Sequence, residues 1–258
     1  MSRYKLRANY DIENIDSQKM DGTVIVDVPM LSNGELNYGL SHIKKKLYEE
    51  NVYPSEIGFD IMSLATMVYM ADTRIERVVH GQDSWTREIE LEIPVSNVEI
   101  WHSQIRTVER MLKFLTGDLW KITLSSRAWQ FNNLEEVREK SNKYDEVSLF
   151  SGGMDSLIST INLMENKKNT LLISHAGEGL TKNAQKNIVN KFDLLYPDVL
   201  HTWLDLWMVF PRDYIPAGGN DNNTRSRSFL FIGYALFAMT GMDNINELLV
   251  PENGLIAL

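Results

Sequence analysis

The stretch "DEVSLFSGGMDSLISTINLME", residues 145–165, runs from an apolar segment into two consecutive glycines and then into an amphipathic segment. Ser151, Gly152, Gly153, Asp155 and Ser156 thus stand where a strand gives way to a helix. Glycine adopts backbone angles barred to other residues and lets an anion approach the chain closely. The unpaired amides of a first helical turn, aided by the helix dipole, point at such an anion. Ser151 and Ser156 add hydroxyl donors, and Asp155 can cap the helix or hold a magnesium ion that bridges phosphates. A plain Gly-Gly turn with Asp155 and Ser156 as helix caps would use the same residues without a ligand. The full pattern Ser-Gly-Gly-x-Asp-Ser favours phosphate, because average residue usage produces it by chance in roughly one chain of this length in a few thousand. No G-x-x-x-x-G-K-[ST] occurs, and the glycine spacing is not that of a dinucleotide-binding fingerprint.

The elements around this loop alternate. "EVSLF" is followed by helical spacing at 154–165, "TLLISH" at 170–175, helical spacing at 180–195, "HTWLDLWMV" at 201–209, an apolar helix at 228–240 and "ELLV" at 247–250. Strand-helix alternation predicts parallel strands joined by right-handed crossovers, with ligands at the carboxyl ends of the strands.

The first half reads differently. "TVIVDV" at 23–28 is a strand, and "SEIGFDIMSLATMVYMADTRI" at 55–75 has helical spacing. "WTREIELEIPV" at 85–95 alternates strictly, predicting a half-buried antiparallel strand. "EIWHSQIRTVERMLKFLTGD" at 99–118 is helical with Gly117 as its stop, and "LWKITLSS" at 119–126 is another strand. Polar "NNLEEVREKSNKYDE" at 132–146 carries no buried face. The predicted organisation is an α+β domain over 1–140, followed by an α/β parallel-sheet nucleotide domain over 145–258.

The loop resembles the pyrophosphate loop of the PP-loop ATP pyrophosphatases, whose adenine-nucleotide hydrolase fold matches the alternating second half. That resemblance implies that Ser151, Gly152, Gly153, Met154, Asp155 and Ser156 bind ATP, with magnesium at Asp155. It also implies that Ser174 and His175, ending the second strand, border the adenosine. "NTRSRSFLFIGYALFAMTG" at 223–241 is similar to the 7-cyano-7-deazaguanine synthase segment in which a Gly-Arg-Asn triplet opens an apolar helix; here Ser226, Arg227 and Ser228 take those places. Arg227 is carried over as a cation for pyrophosphate or a substrate carboxylate, and Arg225 stands close by. Cations are unfavourable at a helix amino terminus unless an anion is present.

Synthases of that family carry zinc-binding cysteines, and this chain has none. The expectation is either a missing carboxy-terminal part after "LLVPENGLIAL" or a branch without zinc. The long first half and "VPENGL" resemble synthase-like proteins of anti-phage operons, in which the activated deazaguanine carboxylate passes to a protein amine rather than ammonia.

Composition bounds the rest. The chain has 258 residues, 43% apolar, with 35 acidic against 26 basic residues, a formal charge of -9 that disfavours broad nucleic-acid binding. Without cysteine, disulfides, thiolate zinc sites and a cysteine nucleophile are excluded within these residues. The amino terminus lacks an apolar signal core, and the most apolar run, 229–239, is too short to span a bilayer, so a cytoplasmic protein is expected. The histidines show no metal-ligand spacing; His175 alone adjoins the expected pocket. Glu178 can orient a ribose or cap a helix, Glu252 and Asn253 can read a purine-like edge or form a turn, and "PAGGND" at 216–221 can close over a nucleotide or be a surface turn.

The expected activity is ATP-dependent amide formation on a 7-carboxy-7-deazaguanine-like acid, in deazapurine (queuosine-type) metabolism or anti-phage defence. A non-catalytic nucleotide-sensing or partner-docking module, or a PP-loop enzyme that modifies transfer RNA, are the alternatives.

Overall fold

The computed structural model describes residues 3–131, 139–175, 179–223 and 225–252. In chain order the elements are β1 (Arg3–Asn9), β2 (Asp16–Met20), β3 (Thr23–Pro29), β4 (Leu31–Ser32), β5 (Glu35–Leu36), α1 (Leu40–Glu49), α2 (Glu56–Arg74), α3 (Arg77–His80), β6 (Glu88–Val95), α4 (Val98–His102), α5 (Ile105–Thr116) and β7 (Leu119–Ser126). There follow β8 (Glu146–Leu149), α6 (Met154–Glu165), β9 (Thr170–His175), α7 (Gly179–Leu195), β10 (His201–Leu206), α8 (Arg227–Met239) and β11 (Leu248–Leu249). The protein is mixed α/β and its sheets are dominated by parallel pairing.

The chain divides into two compact units: Met1–Ser41, Phe59–Asn133 and Met208–Leu230 form the first, and His42–Gly58, Leu134–Trp207 and Phe231–Leu258 the second. This interleaving differs from the sequential division at 1–140 and 145–258 expected from composition. Tertiary contacts set the border: Tyr144 donates to Glu50 at 2.8 Å inside the second unit, and Arg74 donates to the carbonyls of Phe210 and Pro211, both at 2.8 Å, inside the first. The polar stretch offered as a boundary lies partly outside the described residues.

The first unit is built on a five-stranded sheet of order β2-β3-β1-β6-β7. β6 pairs parallel with both β1 and β7, which corrects the antiparallel expectation for that strand, while β2 pairs antiparallel with β3. Alternation of Ile89, Leu91, Ile93 with Glu88, Glu90, Glu92 reports that one face is polar; it carries no information on strand direction. The polar face holds a ladder of ion pairs, with the Lys5 ammonium 3.2 Å from Glu90 and 3.0 Å from Glu92, and Arg7 2.5 Å from Asp27. β1 repeats the alternation, burying Tyr4, Leu6 and Ala8. The predicted helix over 99–118 is divided into α4 and α5; the side chain of Asn97 accepts from Ile100 N to start the first, and Gly117, at φ +78, ends the second.

The second unit is a four-stranded parallel sheet of order β10-β9-β8-β11. Every residue of β9 is buried. Leu172 packs with Phe150 and Phe192, flanked by Leu157 and Ile161 of α6 and Ile188 and Val189 of α7. His175, an odd number of residues along the strand, lies on the opposite face with its ring stacked on Tyr234 of α8, centroids 5.8 Å apart. Helices therefore cover both faces of this sheet, as a doubly wound arrangement requires. Among the described residues no helix is long and apolar enough to cross a membrane.

Candidate functional site

From β8 the chain winds outward through β9 to β10, then returns to place β11 on the other side of β8. The winding direction reverses beside β8, so its carboxyl end is the switch point at which open α/β sheets hold ligands. The Ser-Gly-Gly loop follows that strand directly.

Gly152 sits at φ +82, and a Cβ there would stand 2.8 Å from Cγ of Gln185, so both backbone angle and space demand glycine. Its amide donates to Ser156 Oγ at 3.1 Å, while Ser156 Oγ donates to Gly153 O at 2.9 Å. Gly153 N donates to Ser151 Oγ at 3.3 Å, and the hydroxyls of Ser151 and Ser156 lie 3.2 Å apart. The two serines thus hold the glycine amides in one cradle. Gly153 is the residue before α6, extended at φ -81 and ψ 174, and no side chain caps that helix start. Helix geometry leaves the first amides of α6 without intrahelical partners. Asp155 and Met154 are exposed in this first turn, whereas Ser156 is buried.

Two side chains buttress the loop from beneath. Ser174 Oγ donates to Phe150 O at 2.5 Å and accepts from Trp203 Nε1 at 2.8 Å. Gln185, fully buried on α7, donates to Ser151 O at 3.0 Å. Ser174 therefore ties β8 to β9, and His175 is buried against Tyr234. Neither side chain faces solvent, so their expected place beside an adenosine depends on rearrangement around them.

At the end of β10 lies a group that sequence reasoning missed. Asp205 pairs in register with Ser174, and its carboxylate receives both Lys46 of α1 and Lys182 of α7. Burial pushes the Asp205 carboxyl up, and the bonds from Lys182 and Lys46 outweigh that, holding it below the usual carboxylate range. A lone acid within the apolar run "WLDLWMV" was the available signal. Gln185 gave no signal beyond its place on a helix.

Arg225 and Arg227 belong to the first unit. The Arg225 guanidinium donates to Thr116 O at 2.8 Å and lies 4.3 Å from the ring centre of Trp85. Arg227 opens α8 half-buried, and its charge pulls the Tyr69 hydroxyl down against the larger upward push of burial. The anion that sequence reasoning sought before α8 is present within the protein: Asp72, fully buried, accepts the amide of Ser226 at 3.0 Å. Asp72 and Asp118 also bind Arg77 and Arg87, forming a buried charge network.

A cavity of about 330 Å³ in the first unit is lined by Arg3, Glu88, Lys121 and Trp120 at the amino-terminal ends of the strands, not at a carboxyl edge. Among the described residues no three His, Cys, Asp or Glu side chains form a metal cluster. Magnesium held through phosphates needs only one carboxylate, and exposed Asp155 fits that role. Glu252 is exposed; Glu178 and Asn253 lie outside the described residues. The chain matches no protein-family profile, no curated protein and no solved structure.

Proposed function

We propose that the second unit binds ATP on the Ser151–Ser156 loop and that the protein is a PP-loop ligase forming a carbon–nitrogen bond. The observation that carries this reading is the glycine cradle at a topological switch point, feeding a helix whose start has no side-chain cap. A phosphate oxygen entering the cradle takes the place of a serine hydroxyl on the Gly152 or Gly153 amide, an exchange that leaves the donors directed as they are.

In the reaction, a carboxylate oxygen of the substrate attacks the α-phosphorus of ATP and the bond to pyrophosphate breaks, giving an acyl adenylate. An amine nitrogen then attacks the acyl carbon, AMP leaves and an amide remains. The protein contributes by holding the reactants in line and neutralising phosphate charge through the loop amides, the serine hydroxyls and the start of α6. Asp155 would hold magnesium, which supplies further neutralisation of the phosphates. Arg227 is the proposed cation for pyrophosphate or the substrate carboxylate. The acid is of the 7-carboxy-7-deazaguanine class and the acceptor is ammonia or a protein amine, both resting on the loop and on the segment around Arg227. A cytoplasmic role in deazapurine metabolism or anti-phage defence accompanies that assignment.

The test is pyrophosphate release from ATP with 7-carboxy-7-deazaguanine, followed by mass spectrometry of small molecules and proteins. Asp155→Ala is expected to abolish release while leaving circular dichroism and the unfolding midpoint unchanged. Undiminished release in that variant would remove the assignment. ATP binding without any turnover would favour the second reading, a nucleotide-sensing module; the engagement of Arg225 with Thr116 and Trp85 favours it to the extent that this cation is already used.

A further inference from the structure

Lys46, Lys182 and Asp205 place two ammonium groups on one carboxylate at the carboxyl edge of the parallel sheet. The two cations are not equivalent. Lys46 also donates to the main-chain oxygen of Asp205 at 3.1 Å, and its side chain is only 21% exposed, so it is anchored twice. Among the described residues Lys182 reaches only the carboxylate, and its side chain is 48% exposed. Among the described residues two ammonium groups thus share this one carboxylate, with the charge of Glu49 of α1 acting on the same neighbourhood, in a chain whose formal charge is -9. His42, on α1 with Lys46, registers the local field: burial first, and then the charge of Lys46, push its imidazole below its usual value.

The position of α7 sets Lys182 near the loop. Gln185, one helical turn after Lys182 and on the same side of α7, donates to Ser151 O. Gln185 Cα lies 3.8 Å from the place a Gly152 Cβ would occupy, so the backbone of Lys182, one turn earlier on α7, is within an extended lysine side chain's reach of the loop, although its ammonium rests on Asp205. From the other direction, Asp205 stands in register with Ser174, whose hydroxyl binds Phe150 O immediately before Ser151. Asp205 therefore stands on the same carboxyl edge as the loop, with β9 between its strand and β8.

We propose that Lys182 is a ligand for the polyphosphate of the bound nucleotide, held in readiness by Asp205 while Lys46 neutralises that carboxylate. This rests on the phosphate reading of the Ser151–Ser156 loop and adds to it a cation from the second unit. When a phosphate enters, the Lys182 ammonium exchanges one carboxylate oxygen for a phosphate oxygen, with no change of protonation. Asp205 remains paired through Lys46, so no buried charge is abandoned. Asp205 sets the strength of the subsite, because every increment of its hold on Lys182 is lost to the ligand.

The experiment is calorimetric titration of the full chain with inorganic pyrophosphate and with ATP, each with magnesium, for the wild type, Lys182→Met, Asp205→Asn and Gly152→Val. Lys182→Met is expected to raise both dissociation constants by about ten- to a hundred-fold, the span of one charge-assisted hydrogen bond, and to flatten their salt dependence. Asp205→Asn is expected to tighten binding by several-fold, since it removes the charge that holds Lys182 while the main-chain oxygen still holds Lys46; a merely structural ion pair would weaken binding or leave it unchanged when broken from either side. Lys182 is exposed, so its variant tests the proposal even if Asp205→Asn unfolds. Wild-type affinity in Lys182→Met, together with lost affinity in Gly152→Val, would overturn this inference and spare the loop. Absence of binding by the wild type would overturn both.

Discussion

The main-chain amide of Ser226 donates to Oδ2 of Asp72 at 3.0 Å, across 154 positions of sequence, while Oδ1 of the same carboxylate takes Arg87 at 2.5 Å. One fully buried acid therefore fixes the residue before α8 and neutralises a fully buried guanidinium. Asp72→Asn would keep the volume but leave Arg87 and Arg77 short of a counter-charge. Removing one partner of a buried pair costs about 3–5 kcal/mol. Equilibrium urea unfolding is expected to show that loss, and a change under about 1 kcal/mol would show that Asp118 and Asp221 together satisfy the arginines.

Gly152 combines φ +82 with a closest approach of 2.8 Å to Gln185 at the place a Cβ would occupy. Holding a non-glycine residue in that backbone region costs about 1–3 kcal/mol, and the crowding of Gln185 adds to it. Gly152→Ala is expected to lower the unfolding free energy by at least that range and to weaken ATP binding by more than ten-fold. Gly153→Ala is the contrast, because its Cβ would meet only Ser151 Oγ, at 3.4 Å, and its φ is ordinary; its stability is expected to change by less than about 1 kcal/mol.

Burial pushes the Asp118 carboxyl up, and the hydrogen bonds and charge of Arg87, with help from Arg77, hold it below the usual carboxylate range. A group depressed in the folded state contributes stability that is complete above its unfolded value of about 3.9 and is lost as pH falls through the folded value. Unfolding free energy measured by urea at successive pH values is expected to fall in acid from about pH 4 downward. Asp118→Asn should start lower and show a shallower acid slope; an unaltered slope would place the acid sensitivity in other carboxylates.

The sequence by itself determined the elements whose signals are local. Gly117 ends α5 because only a residue tolerant of left-handed angles continues the chain there, and the stretch 145–206 alternates strand and helix because its apolar spacing does. The turn at Gly152 was legible for the same reason, since glycine chemistry is written in one residue type. β1 is equally legible in "RYKLRAN", where Tyr4, Leu6 and Ala8 alternate with polar and charged residues. The tertiary structure alone decided the parallel direction of β6, the exchange of 42–58 and 208–230 between the two units, the use of Asp72 as the anion before α8, and the pairing of Lys46 with Asp205 across 159 positions. Each of these is a choice of partner among groups distant in sequence. Periodicity reports which face of an element is buried, and a partner is selected only when the whole chain has folded against it.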